Sequence, residues 1–99
     1  LTLKLKPNTA PDFGRLMENE ILPLLRKQPG FRDEITFVAP DRSEVMAISF
    51  WDTKDNCEAY NQNGYPELLK IVATILDGTP KVENFVLATS TFHKLAAKA

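Results

Sequence analysis

Two side chains in this sequence carry the most latent chemistry, the single histidine His93 and the single cysteine Cys57. A thiol nucleophile needs a base within hydrogen-bond reach, and Cys57 falls inside a helical pattern, where a small inert thiol is the ordinary reading. His93 titrates near neutral pH and is the natural acid-base candidate. Around it, Trp51, Tyr60, Tyr65 and Phe37 can form apolar walls, and Ser49 and Asn61 can orient a polar group, the minimum a ligand cavity needs. The motive is positional. Trp51 ends a strand just before a helix, and the Asn63-Gly64 break beside two tyrosines interrupts helical packing where a ligand would need room. Each residue also has a structural reading: Trp51 as core, the tyrosines and Asn61 as caps beside the break, His93 as a solvated strand-end residue.

Other chemistry is disfavoured. One cysteine and one distant histidine do not make a zinc site. The glycines at 14, 30, 64 and 78 form no phosphate-cradling loop or dinucleotide fingerprint. With 12 basic against 13 acidic residues, no strong field draws the chain to nucleic acid or an anionic membrane. No cofactor and no metal are expected. A lone cysteine, no signal peptide and no apolar run of transmembrane length point to a cytoplasmic protein. The 99 residues, 43% hydrophobic, suffice for one core and are read as one domain over 1–99. Because the sequence starts at Leu1 in mid-alternation and without methionine, a few residues are expected to precede it.

The elements that must position these residues follow from periodicity. Leu1, Leu3 and Leu5 alternate with polar residues as in a one-sided strand. Thr9-x-x-Asp12 reads as a capping box, and Phe13, Leu16, Met17, Ile21, Leu24 and Leu25 share one helical face, bent at Pro23 and stopped by Gln28-Pro29-Gly30. Phe31 to Ala39 reads as a second strand, with Asp33 interrupting its apolar face, and Glu44 to Trp51 as a third. Asp52 and Thr53 cap a helix to about Asn61, and Pro66 restarts a helical stretch. A long last strand is expected from Val82 to about His93.

The predicted order is βαββαβ, a ferredoxin-like α+β fold in which two helices cover one face of a four-stranded antiparallel sheet. Val38, Met46, Ile48, Phe50, Val86 and Phe92 would then occupy the other face, mixed with Thr2, Lys4, Thr36 and Ser90. A partly apolar face of that size predicts a homodimer packed sheet to sheet.

The stretch from Ser49 to Tyr60, with Phe50-Trp51 followed by Asp52 and Thr53, resembles the antibiotic-biosynthesis-monooxygenase family, as do Pro29-Gly30-Phe31 and Gly78-Thr79-Pro80. The resemblance implies a dimeric α+β barrel with a ligand cavity between sheet and helices. It further implies a small-molecule-binding protein, with cofactor-independent monooxygenation of a hydrophobic aromatic substrate as one activity of such a cavity. The haem-degrading branch does not fit, because Lys70 and Leu1 stand where that branch carries a haem-ligating histidine and a pocket asparagine. A non-catalytic dimeric ligand-sensing or stress-related module and an isomerase on the same barrel are the rival readings.

Overall fold

The computed structural model describes residues 1–91. Strand β1, Thr2–Lys4, leads through Asn8, whose φ of 64° turns the chain, into a helical stretch made of α1, Ala10–Leu16, a π-helical turn, Met17–Ile21, and α2, Leu22–Arg26. Pro23 explains the π turn. It has no N–H, and its ring would press on the carbonyl four residues earlier in a regular α-helix. The wider turn, with Leu22 N–H donating to Met17 O, opens the ladder there. Thr9 occupies the N-cap position, but its hydroxyl donates backwards to Lys6 O at 2.7 Å, so the expected capping box does not form.

Strands β2, Phe31–Val38, and β3, Glu44–Trp51, form an antiparallel hairpin closed by a turn in which Asp41 accepts from the Ser43 amide and hydroxyl. Thr53 caps α3, Lys54–Asn63, accepting from the Asn56 amide at 3.0 Å, and Gly64 separates it from α4, Tyr65–Val72. Both features match the sequence reading. The core is built from Leu3, Leu5 and Val45 on the sheet and Phe13, Ile21, Leu25, Tyr60, Leu68 and Val72 on the helices, with Ile75 beyond α4.

The sheet departs from the expectation. It has three strands in the order β1-β3-β2 and is open, so the four-stranded ferredoxin-like sheet and the closed barrel are not formed. After α4 the chain does run antiparallel along the free edge of β1, through bridges of Leu76 to Leu5 and Lys81 to Thr2. Gly78, at φ 91°, and Pro80, which has no amide hydrogen, break that contact into isolated bridges. From Val82 the chain passes beyond Thr2, the first residue of β1, and among the described residues it forms no strand. Phe85 and Val86 are 86% and 92% exposed.

A second departure sits in β2. The register shifts between Phe31 and Asp33, leaving Arg32 as the extra residue of a β-bulge. Phe31 pairs with Trp51 on the helix-facing side, whereas Asp33, Ile35 and Phe37 pair with Phe50, Ile48 and Met46 on the open side. Val38 and Thr36, expected on the open face, pair with Val45 and Ala47 and so belong to the helix-facing side. Phe92 and His93 lie outside the described residues.

Candidate functional site

Where β3 runs into α3, strand and helix bring three aromatic rings together. Trp51 stacks on Tyr60 with centroids 4.9 Å apart and meets the edge of Phe31 at 5.6 Å. The alternation of β3 puts Ser49 on the same side, and the Trp51 indole N–H donates to Ser49 Oγ at 3.0 Å. Directly across from Ser49 in the register is Glu34, and two residues along β2 is Thr36, whose hydroxyl donates to the Glu34 carboxylate at 2.5 and 2.7 Å to its two oxygens. Burial pushes the Glu34 carboxyl above the usual carboxylate range, and the Thr36 hydrogen bond opposes that only in part.

Of the residues expected to line a cavity, the structure unites Trp51, Tyr60 and Ser49. Tyr65, at the start of α4, is half-buried against the core and close enough for its charge to act on Tyr60. Asn61 follows Tyr60 on α3 and makes no side-chain hydrogen bond among the described residues. Phe37 is separated from this group: its register with Met46 sends it to the opposite face, where it is 57% exposed. His93 lies outside the described residues. Cys57 is half-buried, its thiol pushed up by burial and by Glu58, and its Sγ lies 3.7 Å from Asn84 Oδ1. That setting favours the unreactive thiol over the thiolate.

Glu34 and Thr36 escaped the sequence reading. The available signal was the interruption at Asp33: a bulge there reverses the parity of everything after it and carries Glu34 and Thr36 onto the helix-facing side. Among the described residues no three His, Cys, Asp or Glu side chains converge as a metal site, and no helix is long and apolar enough to cross a membrane.

Comparison with protein-family models, with curated proteins and with solved structures finds no match. Membership of the antibiotic-biosynthesis-monooxygenase family is therefore overturned, the more so because the sheet is open and three-stranded where that family's barrel is closed. The aromatic monooxygenase reading rested on that barrel and falls with it, as do the ligand-sensing and isomerase readings built on the same scaffold.

Proposed function

We propose that the chain is a self-associating α+β module, a homodimer joined through the open face of its sheet. The observation that supports this reading is the composition of that face. Phe37 and Met46, 57% and 48% exposed, stand beside Ile48, Ile35 and Phe50, with no helix of the described residues over them, and Lys4, Glu44 and Asp33 border them with both signs of charge. An apolar centre with a mixed rim suits a copy of itself, and a net charge of −1 opposes association little.

Area supports a second copy as well. Two strands of eight residues and one of three, about 5 Å apart, offer roughly 300 Å² of flat face, short of the roughly 800 Å² per partner of a stable interface. The segment after Lys81 supplies more, since Val82, Phe85, Val86 and Leu87 are all exposed. A groove of about 520 Å³ lies between the open face and the base of this segment, lined by Thr2, Phe37, Met46, Glu44, Lys81 and Glu83. Two such surfaces on every copy are complementary in kind. A lone cysteine without an internal disulfide partner supports a cytoplasmic setting for the dimer.

Light scattering on the purified chain at 10–100 µM, roughly the range in which an interface of this size saturates, should give twice the chain mass. Ile48→Glu, placing a charge at the centre of the face, should yield a monomer with an unchanged far-UV spectrum. A wild-type monomer across that range overturns the reading.

A further inference from the structure

The helix-facing side of β2 is polar where a sheet under helices is ordinarily apolar. Glu34, Thr36 and Ser49 are neighbours there by register, none of the residues of β2 is buried, and the core draws its sheet residues from β1 and β3 and the segments flanking them. β2 is an edge strand of the sheet and none of its residues is buried, so the carboxylate and the two hydroxyls of this strip stay within reach of solvent.

The hydrogen-bond pattern shows what the strip offers. The Thr36 hydroxyl hydrogen is committed to Glu34, and Ser49 Oγ already holds the Trp51 indole hydrogen. What remains is mostly acceptor, the carboxylate and the free lone pairs of the two hydroxyls, with the Ser49 hydroxyl hydrogen as the single donor. The ion pairs of the described residues use Asp12, Asp52, Glu58, Glu67 and Glu83, and none engages Glu34. Among the described residues this half-buried carboxylate has no cation partner, and beside it lie the two hydroxyls and the Trp51–Tyr60 stack.

We propose that this strip binds the primary ammonium group of a small arylalkyl amine, held by Glu34, Thr36 and Ser49, with the apolar body of the ligand against Trp51. An ammonium carries three N–H donors and one charge, matching three acceptors and one unbalanced carboxylate, and an aromatic neighbour favours a cation further. A neutral alcohol of the same shape matches neither the charge nor the donor count. The strip lies on the side of the sheet opposite the dimer face, so this assignment stands or falls independently of self-association.

Trp51 is the only tryptophan, so its fluorescence reports on this site alone. Titration of the full chain at pH 7 with 2-phenylethylammonium should give a saturable change, and 2-phenylethanol should bind at least about tenfold more weakly. Glu34→Gln, which keeps the shape and removes the charge, should weaken the amine by about tenfold or more and leave the alcohol unchanged, with the far-UV spectrum and the oligomeric mass as checks on folding. Absence of a saturable response in the wild type, equal binding of amine and alcohol, or amine binding that survives Glu34→Gln in a folded protein each overturns the proposal.

Discussion

Gly30→Ala should lower stability by about 2–4 kcal/mol, through two effects that can be separated. Gly30 sits at φ 76°, where an L side chain costs about 1–2 kcal/mol. Its missing Cβ also leaves room for the Asn56 side chain, which an alanine methyl would strike. Asn56 cannot simply turn away, because its Cβ is itself 2.7 Å from the added methyl and its Oδ1 would lose the Thr53 hydroxyl at 2.7 Å, next to the Asn56 backbone N–H that Thr53 Oγ1 accepts at 3.0 Å to start α3. The Gly30 carbonyl in turn accepts from the Asp52 amide at 2.8 Å, so the turn before β2 and the turn before α3 are tied together. Thermal unfolding followed by circular dichroism should show a midpoint drop of roughly 10–20 °C for a domain of this size. In an Asn56→Gly background, which removes the Asn56 Cβ along with its carboxamide, the collision is gone, and the same substitution should cost only the backbone strain. A cost below about 0.5 kcal/mol in the wild-type background would mean that neither effect operates.

This pair also shows what the sequence makes legible. Pro29-Gly30 before Phe31 and Thr53 before a helical pattern are local signals, and local chemistry determines both: a positive φ at a glycine, and a hydroxyl that accepts a free helix amide. The break at Gly64 and the strand from Glu44 to Trp51 were readable for the same reason. The expected last strand was not a local matter. Val82 to Leu87 has strand-like residues, but a strand exists only where an edge accepts it, and β1 offers Lys81 a partner in Thr2 and offers the following residues none among those described. Self-association was inferred from an apolar face, and that face is present, yet its membership differs because one extra residue at Arg32 reassigns each later side chain of β2.

The candidate site divides along the same line. Trp51, Ser49 and Tyr60 were legible because strand alternation and a helix start fix them relative to one another across a short stretch of chain. Glu34 and Thr36 come from the other strand of the hairpin, and their side of the sheet depends on a bulge that binary patterning does not encode. Phe37 was misplaced by the same bulge. A polar pair on the face toward the helices is thus the product of register, visible only once the hairpin is paired.

At the other end of the site, Tyr60 should make the protein sensitive to alkali. Its ring is 7% exposed, and burial, with smaller contributions from the charges of Tyr65 and Cys57, raises the phenol from 10 to about 12. In the unfolded chain the phenol ionises near 10, whereas in the folded chain it keeps its proton. Stability from this group is therefore intact below pH 10 and falls as the pH rises toward 12, because only the unfolded state gains by releasing the proton. Two pKa units correspond to roughly 2–3 kcal/mol. Tyr65 and Cys57, both pushed up by burial, add losses of the same sign, the thiol from its ordinary value of 9.0 upward. Urea unfolding at pH 9, 10, 11 and 12 should show a steep decline in the wild type and a shallower one in Tyr60→Phe. The two proteins should be nearly equal at pH 8, since the Tyr60 hydroxyl makes no hydrogen bond among the described residues. Absorbance of the phenolate should rise in two steps, Tyr65 before Tyr60, with the later step absent from Tyr60→Phe. Parallel declines in the two proteins would show that the phenol ionises without cost in the folded state, and that the Trp51–Tyr60 stack is open to water.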